Sequence, residues 1–218
     1  VRLSLLAIAA SASVVLGSVV ALALELDGGG PRQVDRRGER VGPRGGERPI
    51  LSAAARRQIP AERLRLYRAA GQRVDIDWTF LAAIGAQECD HGACPGDNGE
   101  GCAGPMQIAV RRGSPCSPDP TVPTEWERWG VDADADGVED VDDPADAIFS
   151  AALILRFDKG APGADGPYRG YRAAACRYYG ACADVDADYA AEVMARAVRY
   201  GFLAERCGEL DGARVCAR

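Results

Sequence analysis

The chain has one histidine, His91, and one lysine, Lys159, among 218 residues. A lone histidine has no second histidine to join it at a metal. No two of the eight cysteines stand in Cys-x-x-Cys spacing, so zinc does not account for the cysteines. The shortage of lysine beside many arginines reflects genomic base composition rather than a basic function. With a net charge of −6, the chain also lacks the positive excess that a nucleic-acid partner would need. No alternating strand pattern of convincing length appears, and no internal repeat. These absences leave a helical, acidic, cysteine-bearing chain.

Residues 3–24 carry no charged or strongly polar side chain beyond serine. Some 22 residues at ~1.5 Å rise span a ~30 Å hydrocarbon core. Residues 1–26 are therefore expected to be a signal peptide or a membrane anchor. Ala21-Leu22-Ala23 favours cleavage and the length of the run favours retention. Residues 27–50 follow as a flexible linker rich in Gly, Pro and Arg, with Gly28-Gly29-Gly30-Pro31, Gly42-Pro43 and Gly45-Gly46 breaking any regular structure. Its arginines make it mildly basic. An even number of cysteines behind an export segment implies disulfides. Short spacing suggests Cys176–Cys182 and Cys207–Cys216. For the other four, Cys89–Cys94 with Cys102–Cys116 is one of three possible arrangements.

From residue 51 to 218 the pattern is mainly α. Pro60–Arg73 is amphipathic, with Leu64, Tyr67 and Ala70/Gly71 at helical spacing. Asp77 caps a helix over 77–89, on which Leu81, Ile84, Gly85 and Glu88 share a face. That face otherwise looks inward, so Glu88 is a carboxylate where an apolar side chain is expected. A carboxyl in such a place resists ionisation and can hold a proton for a leaving group near neutral pH. The stretch 90–103 reads as a loop, 105–110 as a short helix, and 113–125 as irregular because of its prolines. Asp143 and Pro144 start a further helix, with Ile148, Ala151, Ala152 and Leu155 on its buried face. Helices are also expected over 168–179 and 188–200.

Glu88, then Gly104-Pro105-Met106-Gln107, then an acidic loop leading into Asp143-Pro144-Ala145-Asp146, then Cys176-Arg177-Tyr178-Tyr179-Gly180, occur in an order and spacing that resemble the lytic transglycosylases with a lysozyme-like fold. The likeness is to the secreted actinobacterial branch and covers roughly residues 60–203. It implies a goose-type-lysozyme-like helical domain that acts on peptidoglycan as a monomer. Glu88 matches the catalytic acid/base of that family. Met106 and Gln107 match its glycan-lining Gly-x-Met-Gln segment, and Tyr178 or Tyr179 matches the tyrosine of its Ala-Tyr-Asn motif. The chain departs from the family in having Cys89 where a Ser follows the Glu, and no Asn after the tyrosine. No catalytic cofactor is implied. The expected surroundings are extracytoplasmic and cell-wall associated, with a membrane contact if the first segment is retained.

Asp132, Asp134, Asp136, Gly137, Val138, Asp140 and Asp143 fit positions 1, 3, 5, 6, 7, 9 and 12 of an EF-hand-type loop. A structural Ca²⁺ held by Asp132, Asp134, Asp136, the Val138 carbonyl and Asp143 is the expectation. Asp at position 12 reaches less well than Glu, so affinity should be modest. Two alternatives to the transglycosylase remain. One is a hydrolytic lysozyme of the same fold using Asp90 or Asp97 as second carboxylate. The other is an inactive, calcium-stabilised wall-binding module.

Overall fold

Seven α-helices and two short hairpins make up the computed structural model over its described residues, 51–94, 96–180, 187–202, 208–210 and 213–215. The expected export segment and linker lie outside these residues. Among the described residues, no helix is long and apolar enough to cross a membrane.

Helix α1 (Ala53–Gln58) starts at Ser52, whose hydroxyl accepts from the Ala55 N–H and donates to the Arg199 carbonyl. Helix α2 (Ala61–Val74) buries Tyr67, Ala70, Gly71 and Val74, the face its periodicity predicted. Helix α3 (Trp78–Cys89) is capped as expected, with an Asp77 carboxylate oxygen accepting from the Thr79 N–H at 2.8 Å and its hydroxyl at 2.6 Å. The Asp77 N–H donates to the Tyr171 hydroxyl, which pins the start of α3 to a later helix.

The burial of α3 differs from the one-faced expectation. Every residue from Trp78 to Gly85 is buried, because α2, α5 and α7 all pack on it. This is the central helix, and a helix enclosed on all sides shows no polar face to read. Gly85 is part of the reason. A Cβ there would collide with the Tyr67 hydroxyl and come within 3.1 Å of Met106 Sδ. The glycine lets both side chains reach the helix axis three residues before Glu88.

The expected short helix over 105–110 does not form. The segment is instead the turn of a hairpin, β1 (Cys102–Ala103) against β2 (Ile108–Ala109), with Cys102 opposite Ala109. Gly104 at φ 72° and Gln107 at φ 49° both leave helical space. A Cβ on Gly104 would run into the Val141 carbonyl, so only glycine lets the turn seat there.

Helix α4 (Glu125–Trp129) has a reciprocal cap between Thr124 and Glu127. Helix α5 (Pro144–Leu153) begins at Asp143 with Pro144 in its first turn, as predicted, and its expected face of Ile148, Ala151, Ala152 and Leu155 is fully buried. It continues as one π-helical turn, Ile154–Asp158. Helices α6 (Tyr168–Tyr179) and α7 (Ala187–Tyr200) pack on each other, and α7 also covers α3. A second hairpin, β3 (Gly208–Leu210) with β4 (Ala213–Val215), was not legible from alternation because each strand has three residues.

Two disulfides are described, Cys89–Cys94 and Cys102–Cys116, with Cα separations of 5.1 and 5.7 Å. Of the three arrangements open to these four cysteines, this is the local one. Cys176 is also disulfide-bonded. The other members of the expected pairs Cys176–Cys182 and Cys207–Cys216 lie outside the described residues.

Candidate active site around Glu88

Glu88 occupies the last turn of α3, half-buried, directly after the enclosed run of that helix. Its carboxylate accepts a hydrogen bond from the Tyr189 hydroxyl on α7. Burial pushes the carboxyl up from its ordinary 4.5 to about 7. The Tyr189 hydrogen bond works against that rise and the charge of Glu125 adds to it. A carboxyl that titrates near 7 is protonated in part of the population at neutral pH and can both give and take a proton there.

Two more tyrosines stand beside it. Tyr178 is half-buried, and its hydroxyl donates to the Met106 carbonyl at 2.8 Å. Its phenol is held well above its ordinary range by burial and by the Glu88 charge. Tyr179 is 52% exposed and stacks on Tyr189 with ring centroids 4.6 Å apart. The structure therefore divides the pair. Tyr178 ties α6 to the Met106 turn, while Tyr179 offers an exposed aromatic surface next to the residue bonded to Glu88.

Met106 itself is fully buried, with its sulfur under Gly85. Direct contact with a ligand is closed to a side chain in that position, so it supports the site from below. Gln107 is half-buried. Its amide N–H₂ donates to the Gly104 carbonyl at 2.9 Å and the Gly96 carbonyl at 3.3 Å. It thereby fastens the turn to the loop that the Cys89–Cys94 bridge draws back against α3. The disulfide stands where a serine side chain was expected, and it constrains the chain immediately after Glu88.

Neither of the carboxylates named as a second acid sits well for that role. Asp90 is the exposed left-handed cap of α3. Asp97 lies in an exposed loop, where it accepts from the Gly99 N–H and lies 3.9 Å from Arg111. The carboxylate whose charge acts on Glu88 is Glu125, at the start of α4. It is paired with Lys159.

His91 serves the fold. It is buried, with Nδ1 3.2 Å from the Tyr67 hydroxyl and Nε2 3.2 Å from the Tyr200 hydroxyl, so it bridges α2 and α7 beneath the end of α3. Burial lowers its pKa from 6.5 to about 4. Asp90 opposes that fall, and Arg196 and Arg63 add to it. The unfolded chain takes up this proton below pH ~6.5, whereas the folded one resists until pH ~4. The stability it contributes is complete above 6.5 and is lost as pH falls from 6.5 to 4. His91→Gln is expected to lower the melting temperature at pH 7.5 but to flatten the decline between pH 6.5 and 4. Melting curves across that range check this, and an unflattened decline in the variant would discount His91 as its source.

The acidic loop is a separate feature. Carboxylate oxygens of Asp132, Asp134 and Asp136 converge within 4.8 Å of one another. Asp132 accepts from the N–H groups of Asp136 and Gly137, and Asp136 accepts from the Val138 N–H. The Asp136 N–H lowers the pKa of Asp134, but desolvation and the charges of Asp136, Asp143 and Asp146 outweigh it and hold this carboxyl above its ordinary value. A hard cation suits this donor set. Asp143 is outside the converging three, with one of its oxygens capping α5 through the Ala145 and Asp146 N–H groups. Asp146, buried, accepts from the N–H groups of Ala133 and Asp140 and closes the loop.

Comparison with known protein families, curated proteins and solved structures returns no match for this chain.

Sequence reasoning did not single out Tyr189 or Glu125. Tyr189 could have been found, because positions 189, 193, 197 and 200 form the inward face of α7 and the last three are buried. Glu125 carried no such signal, since an acidic residue at a helix start is ordinary.

Proposed function

We propose that this chain is an exported peptidoglycan lytic transglycosylase with a lysozyme-like helical domain and Glu88 as its single acid/base. The observation that carries the reading is the Glu88 carboxyl, set at the end of an enclosed helix, titrating near 7 and bonded by a tyrosine hydroxyl. Cleavage of the β-1,4 bond between MurNAc and GlcNAc needs a proton on the leaving oxygen and support for an oxocarbenium-like state. Glu88 supplies the proton. The substrate's N-acetyl group supports the anomeric carbon. The ionised Glu88 then removes the proton of the sugar's own 6-hydroxyl as that oxygen attacks, giving a 1,6-anhydro end and restoring the acid. Tyr179 provides a surface for a sugar ring. Gln107 and Tyr178 keep the wall of the site in place.

The hydrolytic alternative needs a second carboxylate to activate water, and the surroundings of Asp90 and Asp97 do not favour either. Mass spectrometry of muropeptides released from purified cell walls is the deciding test. Anhydro ends are expected. Reducing ends would make the chain a lysozyme, and no released fragment would leave only wall binding.

The acidic loop is assigned to structural calcium, with Asp132, Asp134, Asp136 and the Val138 carbonyl as its holders and Asp143 contributing from the start of α5. Its role is to join the loop to α5, with no part in the chemistry.

A further inference from the structure

Beside the loop that the Cys89–Cys94 bridge closes lies a cavity of about 250 Å³. Its walls are Arg63 on α2, Gly92 and Gly96 on either side of Cys94, the Gly104-Pro105 turn, and Asp142 just before α5. The Arg63 side chain is 19% exposed. Its Nε donates to the His91 carbonyl at 3.2 Å, which aims the guanidinium, and its Nη1 lies 3.8 Å from Glu62. Its Nη2 has no hydrogen-bond partner among the described residues, and it stands 3.5 Å from where a Cβ on Gly92 would be. Asp142 is exposed, and its N–H donates to Asp140 at 2.9 Å. Its carboxylate has no hydrogen-bond or ion-pair partner among the described residues. A Cβ on Gly96 would come within 2.9 Å of Asp142 Oδ1, so the glycine leaves that oxygen open. Arg63 and Asp142 therefore line one small cavity with opposite charges and do not pair with each other.

We propose that this cavity is a subsite for a zwitterionic amino-acid end of the wall's stem peptide, with the carboxylate on Arg63 and the ammonium on Asp142. The proposal rests on the reading of the chain as a peptidoglycan enzyme, and it names a second part of the same substrate. A guanidinium pairs a carboxylate through parallel N–H groups, and a carboxylate is the natural acceptor for an ammonium. The residues lining the cavity include no aromatic, so a sugar ring has no face to stack on there. The volume is below the ~300–1,000 Å³ of clefts that enclose drug-sized ligands, so the cavity takes one end of a ligand. Its position suits a peptide attached to the glycan. Cys94 is part of the wall, and its Cα lies 5.1 Å from that of Cys89, the residue after Glu88. Three extended residues span about 10 Å, which is long compared with that step.

The test is a titration of the full chain, read by ¹H–¹⁵N shifts of Gly92, Gly96 and the Arg63 Nε–H. The probe is acetyl-L-Ala-γ-D-Glu-meso-diaminopimelate, whose far end carries an ammonium and a carboxylate on one carbon. Saturable shifts at these three groups are expected. Acetylating the free amine of the probe, or Asp142→Asn in the protein, should weaken binding about three- to fivefold, because that contact is exposed. Arg63→Gln should weaken it about tenfold, because that contact is largely enclosed. Free D-alanine offers the same two charges without the peptide and should bind more weakly than the tripeptide. Equal binding of D-alanine would overturn the assignment to the stem peptide. Shifts absent at about 20 mM probe, or unchanged affinity in Asp142→Asn, would overturn the subsite. Asp142→Asn and the acetylated probe decide the question if Arg63→Gln does not fold. None of these readings needs cleavage. Charge-dependent binding without released muropeptides would sink the proposed function alone, and anhydro products without binding would sink the subsite alone.

Discussion

Glu88→Gln is expected to abolish wall lysis while making the protein more stable above neutral pH. The loss follows from chemistry. Glutamine keeps the shape and an oxygen for the Tyr189 hydroxyl but has no proton to give, and loss of a general acid/base costs ~10²–10⁴-fold by that contribution alone. The gain follows from linkage. The folded-state pKa of Glu88 is about 7, above its ordinary 4.5. Its contribution to stability is therefore fully present below pH ~4.5 and is lost as pH rises through 7. At pH 8 the wild-type protein must hold a half-buried carboxylate in its ionised form. The variant escapes that cost, which is at most ~3 kcal/mol and less with the side chain's residual exposure. The melting temperature of the variant should exceed wild type at pH 8 by a few degrees, with the gap closing at pH 4.5. Lysis and melting curves at both pH values check this. Retained lysis within a few-fold would remove Glu88 from the chemistry, and an equal melting temperature at pH 8 would mean that its carboxyl is not strained by burial.

How far the sequence disclosed this site depends on whether each group answers to local rules. Asp77 and Asp143 were legible as caps because an N-cap needs only a short acceptor before a helix. Glu88 was legible because its neighbours at helical spacing are apolar. The Cys89–Cys94 and Cys102–Cys116 bridges are consistent with short closed loops, though the sequence left three arrangements open. The hairpin at 102–109 was missed because two-residue strands have no period to detect, and because the two residues that break the helix there, Gly104 and Gln107, do so through positive φ. Met106 was read as core as well as cleft wall, and the space left by Gly85 draws its side chain into the core. Tyr189 is 101 positions from Glu88, and their meeting depends on the way α7 lies across α3. Lys159, at the end of the π-helical turn after α5, meets Glu125 at the start of α4. Nothing in the local pattern announces such a turn.

Calcium is expected to raise the melting temperature strongly and to leave the chemistry untouched, which separates the loop at 132–143 from the Glu88 site. Three carboxylates whose oxygens lie within 4.8 Å of one another repel when no cation is between them, and Asp134 shows that strain in its raised pKa. A ligand that binds only the folded state stabilises by RT ln(1 + [L]/Kd), about 2.7 kcal/mol at a hundredfold excess. In a domain of this size that is several degrees. Magnesium should do much less, because it holds its water and prefers a rigid octahedron. Asp132→Ala removes the oxygens that hold the Asp136 and Gly137 N–H groups, so it should erase the calcium increment and also cost some stability without the ion. Asp134→Ala removes a single such bond, to Asp136, and is the cleaner arm. Its melting temperature without calcium should match or exceed wild type, because one repelling charge is gone, and calcium should then add little. Both variants should still release muropeptides at low temperature. An unmoved wild-type melting curve at millimolar calcium would make the loop a solvated turn held by its own aspartate–backbone hydrogen bonds and by Asp146. A requirement for calcium in turnover by protein that stays folded without it would instead place the ion within reach of the glycan.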